Sequence, residues 1–237
     1  MGEAARRRRT GETELWFHGT DEHFADWAAP PITARYKPEL PPHSFISLSK
    51  DRILAEQAGE LTKGLCCCRL IDETNVIDFR NDSQESRKCW EKVRISDIGR
   101  EHPYIQTFRQ WMEACTTGEV LRPHTTNPIV GLERQRLIQI SRDPRIPQSV
   151  RQQAHTEAQV YQRAWIEIVV SSASELDVDA VICAEVDRDR PGGKRAATNL
   201  HVFNPLAITS PEWLVVPTHE QANKRIQQLK SAGRWPH

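Results

Sequence analysis

Several kinds of segment that would mark a particular class of protein are missing from this sequence. Its 32 Lys and Arg residues balance 32 Asp and Glu residues, so no overall charge favours nucleic acid or a membrane surface. No run of 18 apolar residues is present, and residues 1–11 are charged and lack the apolar stretch of a secretory signal. We therefore expect a cytoplasmic protein with no membrane partner, acting in the producing cell or in a target cell.

Patterns typical of metal sites and of nucleotide triphosphatases are also missing. The six cysteines include the adjacent Cys66, Cys67 and Cys68, but no CxxC pair and no spacing typical of a disulfide framework. The sequence has no HExxH motif and no glycine-rich phosphate loop. We therefore expect a reducing compartment, one or two of the three adjacent cysteines as buried strand residues, and no metal.

The apolar pattern favours an α+β fold. At 237 residues the chain is long enough for one sizeable domain. Apolar residues at spacings of three and four, broken by proline-rich stretches, predict a helical insertion over about 83–163. The basic segment 1–13 predicts a flexible arm, and 14–237 a single domain. Short apolar runs typical of buried strands lie at 16–17, 66–71, 165–170 and 200–203.

Four segments follow one another in an order that is informative about function. The first, at residues 15–20, has a His-Gly-Thr tripeptide after an apolar strand, and the second, at 45–59, has small hydroxyl residues before a helix. The third, at 75–79, has an Ile-Asp pair within a strand, and the fourth, at 178–208, has a strand that ends in Phe-Asn-Pro. Together they resemble the NAD-binding half of the ADP-ribosyltransferase superfamily, in its diphtheria-toxin and poly(ADP-ribose) polymerase branch. The resemblance covers about residues 14–80 and 165–210.

This resemblance implies a split mixed β-sheet that binds NAD as a substrate. In the family, the strand histidine hydrogen-bonds the adenine-side ribose, and the next glycine offers its backbone to the nicotinamide amide. By position these residues are His18 and Gly19, with Thr20 beside them. Glycine suits a close approach of backbone to a planar amide. Ser47 and Ser49 match the small hydroxyl residues that shape the floor of the pocket.

Two aromatic positions of the family are only partly kept. The family usually places rings on both sides of nicotinamide, and the first position falls on Phe45, which has a ring but no hydroxyl. The second falls on Gln57, which is not aromatic. We therefore expect weaker stacking on nicotinamide, or a substitute ring from Trp27 or Tyr36.

The largest departure from the family concerns the catalytic acid. Where the family has a glutamate at the start of the last strand, this sequence has Asn199. Asparagine can bond a ribose hydroxyl but carries no charge, and losing such a group costs about 3 kcal/mol. Glu185 is the nearest replacement, with a solvated strand-end charge as the alternative; Glu167 and Glu212 have less positional support. His201 on the last strand has the chemistry of a catalytic base, and a half-buried strand histidine explains it as well.

The loop before Asn199 bears on the acceptor, because the equivalent loop of related enzymes faces the molecule being modified. Its Gly-Gly pair gives flexibility, and its basic residues suit a phosphate backbone or an acidic protein surface. A mobile solvated hairpin is the alternative. Residues 116–128 are the best candidate for a hinge or lid. The basic acceptor-loop residues are Arg188, Arg190, Lys194 and Arg195.

The resemblance thus implies an ADP-ribosyltransferase of toxin or effector type, which transfers ADP-ribose from NAD to protein, RNA or DNA. Two alternatives stay open. An NAD glycohydrolase would use water in place of the acceptor, and a catalytically silent relative would bind a partner through the same cleft. A toxin further implies a neutralising antitoxin or immunity protein.

Overall fold

The chain forms an α+β fold with one open, mixed, seven-stranded sheet, which confirms the expected fold class. The computed structural model describes residues 14–29, 43–59, 61–96, 99–102, 105–121, 131–187 and 195–232. The strands are β1 (Trp16–Thr20), β2 (Ile46–Ser49), β3 (Gly64–Cys68), β4 (Val76–Asp78), β5 (Ala180–Asp187), β6 (Arg195–Val202) and β7 (Glu212–Val215). The helices are α1 (Arg52–Ala58), α2 (Gln84–Ile95), α3 (Phe108–Thr117), α4 (Gly131–Arg142), α5 (Gln148–Ser171) and α6 (His219–Ser231).

The strand order is β4-β5-β6-β2-β1-β3-β7, with β4 and β5 parallel and the other neighbours antiparallel. The pairing of β1 is uneven. It matches β3 over five residue pairs, but it meets β2 only where Phe17 lies opposite Ser49. We call this place the β1–β2 junction, because it joins a four-stranded part of the sheet to a three-stranded part by a single residue pair.

Each face of the sheet carries its own buried cluster. On the face that we call the helical face, Val181 and Cys183 pack with side chains from α2, α3 and α5. On the opposite face, Trp16, Leu48 and Leu200 form a second cluster that spans the β1–β2 junction. Helices α2 to α5 all lie between β4 and β5 in sequence. Of these, α2, α3 and α5 pack on the helical face, whereas α4 packs on α5 in a separate cluster of Leu137, Ala154 and Ala158.

One apolar run lies in a helix where the sequence pattern is typical of a strand. Residues 165–170 belong to the last turns of α5. Trp165 and Val169 are one turn apart and both are fully buried, as is Val170. Because this end of the helix is enclosed on more than one side, its sequence loses the alternation with polar residues that marks an amphipathic helix.

The cysteines lie in the interior of the protein. All six are buried and none is in a disulfide within the described ranges, and Cys66, Cys67 and Cys68 form the buried end of β3. Burial raises the pKa of Cys66 to about 12, which keeps this thiol protonated at neutral pH. Among the described helices, none is both long and apolar enough to cross a membrane.

Helix α1 follows β2 directly and packs against β1. The Asp51 carboxylate caps it by accepting hydrogen bonds from the Ile53 and Leu54 N–H groups. The helix lies so close to β1 that a Cβ atom on Gly19 would stand 1.7 Å from the Ala55 carbonyl oxygen. Contact with α1 therefore already requires a glycine after His18, whether or not a ligand is bound.

We predict that Gly19→Ala lowers the free energy of unfolding by about 3 kcal/mol, because the added methyl must displace the backbone of α1. Urea unfolding followed by circular dichroism measures this loss. Gln57→Ala, at an exposed position of the same helix, is the control and should change stability by less than about 0.5 kcal/mol. A Gly19→Ala protein as stable as wild type would contradict the close packing.

Candidate functional site

His18 bridges the β1–β2 junction. Its Nδ1 atom lies 2.8 Å from the Ser47 carbonyl oxygen, so Nδ1–H donates to the backbone of the neighbouring strand. This hydrogen bond places the proton of the neutral ring on Nδ1 and leaves Nε2 as an acceptor. Burial lowers the pKa of His18, and the bond to Ser47 only partly opposes this, so the ring is neutral at physiological pH.

Aromatic rings from the segment after β1 pack around His18. The ring centroids of Phe24 and Trp27 lie 6.0 and 5.6 Å from that of His18, both edge-on. The Trp27 indole N–H donates to the Thr209 carbonyl oxygen at 2.9 Å. The Trp213 indole N–H donates to the Phe24 carbonyl oxygen at 3.1 Å. These bonds fix Trp27 beside His18, whereas Tyr36, the other suggested substitute ring, lies outside the described residues.

Thr20 and the residue after it tie the end of β1 to the turn before β3. The Thr20 Oγ1 atom accepts from the Glu22 N–H at 3.1 Å. One oxygen of Asp21 accepts from the N–H groups of Leu61 and Thr62, both at 2.8 Å. The hydrogen bond of the Thr20 side chain is thus that of a turn residue at the end of β1.

Strands β5 and β6 bring two predicted site residues into contact. Asn199 lies opposite Cys183, and Glu185 lies opposite Ala197, so Asn199 and Glu185 are diagonal neighbours on the helical face. The Asn199 side-chain N–H donates to a Glu185 carboxylate oxygen at 2.7 Å. The amide that stands where the family has glutamate is therefore directly bonded to a carboxylate.

Two residues of β6 bury polar atoms without partners. Asn199 is 3% exposed and His201 is 1% exposed, so His201 is fully buried and not half-buried as expected from the sequence. The Asn199 Oδ1 atom and both His201 ring nitrogens have no hydrogen-bond partner among the described residues. Leaving such an atom unpaired costs about 1–3 kcal/mol. We call Glu185, Asn199 and His201 the polar row.

Phe45 lies inside the core of the helical face and not in an open pocket. It is 1% exposed, and its ring packs edge-on against His201 at 5.1 Å and stacks on His43 at 4.7 Å. His43 Nδ1 lies 3.1 Å from a carboxylate oxygen of Glu167, which also accepts from the Ser44 N–H. In this structure neither face of the Phe45 ring is open to a nicotinamide.

Glu167 forms its hydrogen bonds with His43 and Ser44, just before β2, and none with Asn199 in the described chain. Burial favours a higher pKa for Glu167, but the hydrogen bonds from His43 and Ser44 outweigh it and leave the pKa below its usual range. Glu212 lies on β7, four strands and about 19 Å from β6. Of the three glutamates suggested by the sequence, only Glu185 meets Asn199.

The serines of β2 connect the two parts of the site. Ser49 lies opposite both Phe17 of β1 and Asn199 of β6, and its Oγ atom accepts from the Asp51 N–H. Ser47 lies opposite His201 and gives its carbonyl oxygen to His18. Gln57 is exposed on α1.

His18 and Asn199 approach the junction from different faces of the sheet. Strand alternation places His18 with Trp16 on the opposite face, while Asn199 and Glu185 belong to the helical face. Strands β1 and β6 are separated only by β2, so they lie about 10 Å apart. A ligand that contacts both side chains must therefore reach both faces of the sheet at the β1–β2 junction.

Arg80 is a site residue that the sequence did not reveal. Its guanidinium forms two hydrogen bonds with Asp78, and its Nη1 atom donates to the Thr198 hydroxyl at 3.0 Å. It thereby anchors β6 at the residue before Asn199. No local pattern signals this contact, because residues 80 and 198 meet only through the pairing of β4, β5 and β6.

Some predicted residues fall outside the described ranges. Arg188, Arg190 and Lys194 of the acceptor loop do so, as do residues 122–128 of the suggested lid, and Arg195 marks the start of β6. Within the described ranges, no group of three or more His, Cys, Asp or Glu side chains could hold a metal ion.

The Glu185–Asn199 pair predicts how charge substitutions affect stability. Asn199→Asp places a second carboxylate against Glu185 and should lower the free energy of unfolding at neutral pH by about 1–3 kcal/mol. The double variant Asn199→Asp/Glu185→Gln restores one donor and one acceptor and should recover most of that loss. Urea unfolding of the wild type, both single variants and the double variant measures the coupling, and additive effects would show that the two side chains do not interact.

Buried His201 makes stability depend on pH. Burial lowers the pKa of His201 from 6.5 to about 3, so between these values the unfolded chain holds a proton that the folded chain lacks. Stability from this group is therefore full above pH 6.5 and falls on acidification. From about pH 7.5 to about pH 5.5, His201 should account for a loss of about 1.4 kcal/mol. His201→Phe should remove that part of the loss in urea unfolding; an unchanged pH dependence would contradict the buried neutral ring.

Comparison with known proteins adds no family to this description. No protein-family model, no curated protein and no solved structure matches the chain. A functional proposal therefore starts from the sequence motifs and from the geometry around the β1–β2 junction.

Proposed function

We propose that this chain is an ADP-ribosyltransferase of toxin or effector type that consumes NAD and modifies a macromolecule. The observation that supports it most is the 2.7 Å hydrogen bond between Asn199 and Glu185. The sequence resemblance lacks a carboxylate at Asn199, and this bond supplies one at the adjacent position. The negative charge that the reaction needs would then come from Glu185.

The chemistry requires little proton transfer. The bond between nicotinamide and the ribose carbon breaks, its electron pair leaves with nicotinamide, and positive charge develops on the sugar. A carboxylate held by an amide stabilises that charge without having to reorganise. A nucleophile of the acceptor then forms the new bond to the ribose carbon and releases its proton. Glu185, fixed by Asn199, is suited to the electrostatic role.

His18 suits the other end of the dinucleotide. Its Nε2 atom is an acceptor in the tautomer set by Ser47, so it can accept from a ribose hydroxyl. NAD is an extended molecule, and to contact both His18 and Glu185 it would have to reach both faces of the sheet where β1 and β2 share one residue pair. Trp27 lies beside His18, so its ring is offered at this end of the dinucleotide and not to nicotinamide.

The basic residues before and at the start of β6 suit an acceptor that carries phosphate or carboxylate groups. Arg188, Arg190, Lys194 and Arg195 precede or begin the strand that carries Asn199, where an acceptor would meet the reacting sugar. Guanidinium groups bind phosphate and carboxylate in two-point contacts. Protein, RNA and DNA all fit this chemistry, and a neutralising antitoxin or immunity protein would be a further partner.

We predict that the purified protein transfers label from adenine-labelled NAD to one of three pools, cell protein, RNA or DNA. Glu185→Gln should lower the rate by about 10²–10³-fold, because it removes the charge but keeps the shape. Glu212→Gln is the matched control, since this exposed glutamate pairs with Arg69 at the far edge of the sheet, and it should leave the rate unchanged.

The other outcomes separate the alternatives. Free nicotinamide without labelled macromolecule would indicate an NAD glycohydrolase. No consumption of NAD with any pool would contradict an enzyme and favour a silent binding module. Equal rates for Glu185→Gln and the wild type would contradict the role of Glu185.

A further inference from the structure

Helices α4 and α5 form a hairpin that lies apart from both clusters of the sheet. Leu137 of α4 packs with Ala154 and Ala158 of α5. No described apolar side chain between residues 131 and 164 belongs to either sheet cluster, whereas Trp165 enters the cluster of the helical face. At 1.5 Å per residue, the part of α5 before Trp165 is about 25 Å long. The turn that joins α4 to α5 is therefore about that far from the core, measured along the helix.

This hairpin carries much more positive than negative charge. Between Glu133 and Glu157 the sequence has five arginines, no lysine and one acidic residue, whereas the whole chain has equal numbers of basic and acidic residues. Three of the arginines surround the turn: one ends α4, one lies in the turn, and one lies at the start of α5. We call them the arginine tip, which consists of Arg142, Arg145 and Arg151.

Asp143, the acidic residue of the turn, offsets only part of this charge. Its carboxylate oxygens accept from the Arg145 guanidinium at 2.7 to 3.2 Å, yet the Arg145 side chain is 87% exposed. The hydrogen bonds from Arg145 lower the pKa of Asp143, and the charge of Arg151 adds to this, so Arg151 lies near the same carboxylate. Arg142 and Arg151 form no ion pair with a described residue. The tip therefore keeps a net positive charge at the surface.

The chemistry of the arginine tip favours a phosphate backbone over an acidic protein surface. Guanidinium groups bind phosphate through two-point contacts. The first turn of α5 contains no acidic residue, so the positive end of the helix adds to the potential of the arginines. A protein interface needs an apolar centre, but residues 142–151 expose a single large apolar side chain, Val150. Interfaces with nucleic acid are polar and positively charged instead.

We infer that the arginine tip is a nucleic-acid-binding surface that contacts the phosphate backbone of RNA or DNA. Contacts to phosphate carry no sequence information, so binding is independent of base sequence. The inference stands whether or not the chain consumes NAD. In the context of the proposed function, it favours nucleic acid over protein as the acceptor.

Fluorescence anisotropy with labelled single-stranded RNA and DNA of about 20 nucleotides tests this surface on the full chain. We expect the wild type to bind, with an affinity that falls steeply as salt rises from about 50 to about 200 mM. Changing all three arginines of the tip to glutamine should weaken binding at least about tenfold at about 50 mM salt. The slope of log affinity against log salt should also decrease by about 2, because each lost phosphate contact removes about 0.7. The variant is Arg142→Gln/Arg145→Gln/Arg151→Gln.

Two further variants separate the arginine tip from net charge and from folding. The matched control removes three positive charges from exposed positions of α6 and should bind like the wild type; it is Lys224→Gln/Arg225→Gln/Lys230→Gln. Changing the three tip arginines to lysine keeps the charge and should keep most of the binding and of the salt slope. Circular dichroism and a thermal melt show whether each variant is folded. If the glutamine variant of the tip does not fold, Arg142→Gln alone replaces it, with an expected slope change of about 0.7.

Several results would overturn the inference. The wild type binding neither nucleic acid would do so, as would equal affinity and slope for the wild type and the glutamine variant of the tip. A loss in the α6 control as large as in the tip variant would show that only net charge matters. Tighter binding of a polyglutamate peptide of the same charge than of either nucleic acid would assign the tip to an acidic protein.

The outcomes also distinguish this inference from the proposed function. Binding of nucleic acid that depends on the arginine tip, without any NAD consumption, would support the surface and contradict the enzyme. NAD consumption without tip-dependent binding of nucleic acid would overturn the surface alone. Binding of RNA but not DNA, or the reverse, would support the surface and name the nucleic acid.

Discussion

The hydrogen bond from His18 to the Ser47 carbonyl oxygen links the two parts of the sheet at the β1–β2 junction, where the backbones share one residue pair. Strands β1 and β2 share one residue pair, so this 2.8 Å bond is their main polar contact beyond Phe17 and Ser49. It also sets the tautomer of His18 and leaves Nε2 as an acceptor. The same bond therefore fixes the junction and defines the chemistry that His18 can offer there.

The Glu185–Asn199 pair provides a carboxylate beside Asn199, where the sequence lacks one. The Glu185 carboxylate lies one diagonal step from Asn199 across β5 and β6, on the same face of the sheet, and in the proposed function it carries the charge. The amide orients the carboxylate and leaves Asn199 Oδ1 pointing at no protein partner in the described chain. Asn199, where the sequence lacks the expected carboxylate, is thus one half of a bonded pair. It lies two residues from His201, whose ring nitrogens have no hydrogen-bond partner in the described chain.

The sequence predicts local features of this site well and its long-range geometry poorly. Strands β1 and β2 and the presence of a helix after β2 follow from short motifs, because apolar runs act locally. The burial of Phe45 and His201, the contact of Arg80 with Thr198 and the helical state of residues 165–170 depend on which strands and helices become neighbours. Gly19 shows a further limit, since contact with α1 explains it as well as a ligand does.

In the proposed function, NAD contacts both His18 and the polar row at the β1–β2 junction. Two-dimensional NMR of the histidine side chains during titration with NAD detects this placement, because the described residues include histidines at the junction and histidines far from it. We expect shifts of the His18 and His201 ring signals and none for His155 on α5. Unchanged signals at saturating NAD, or shifts confined to histidines away from the junction, would contradict it.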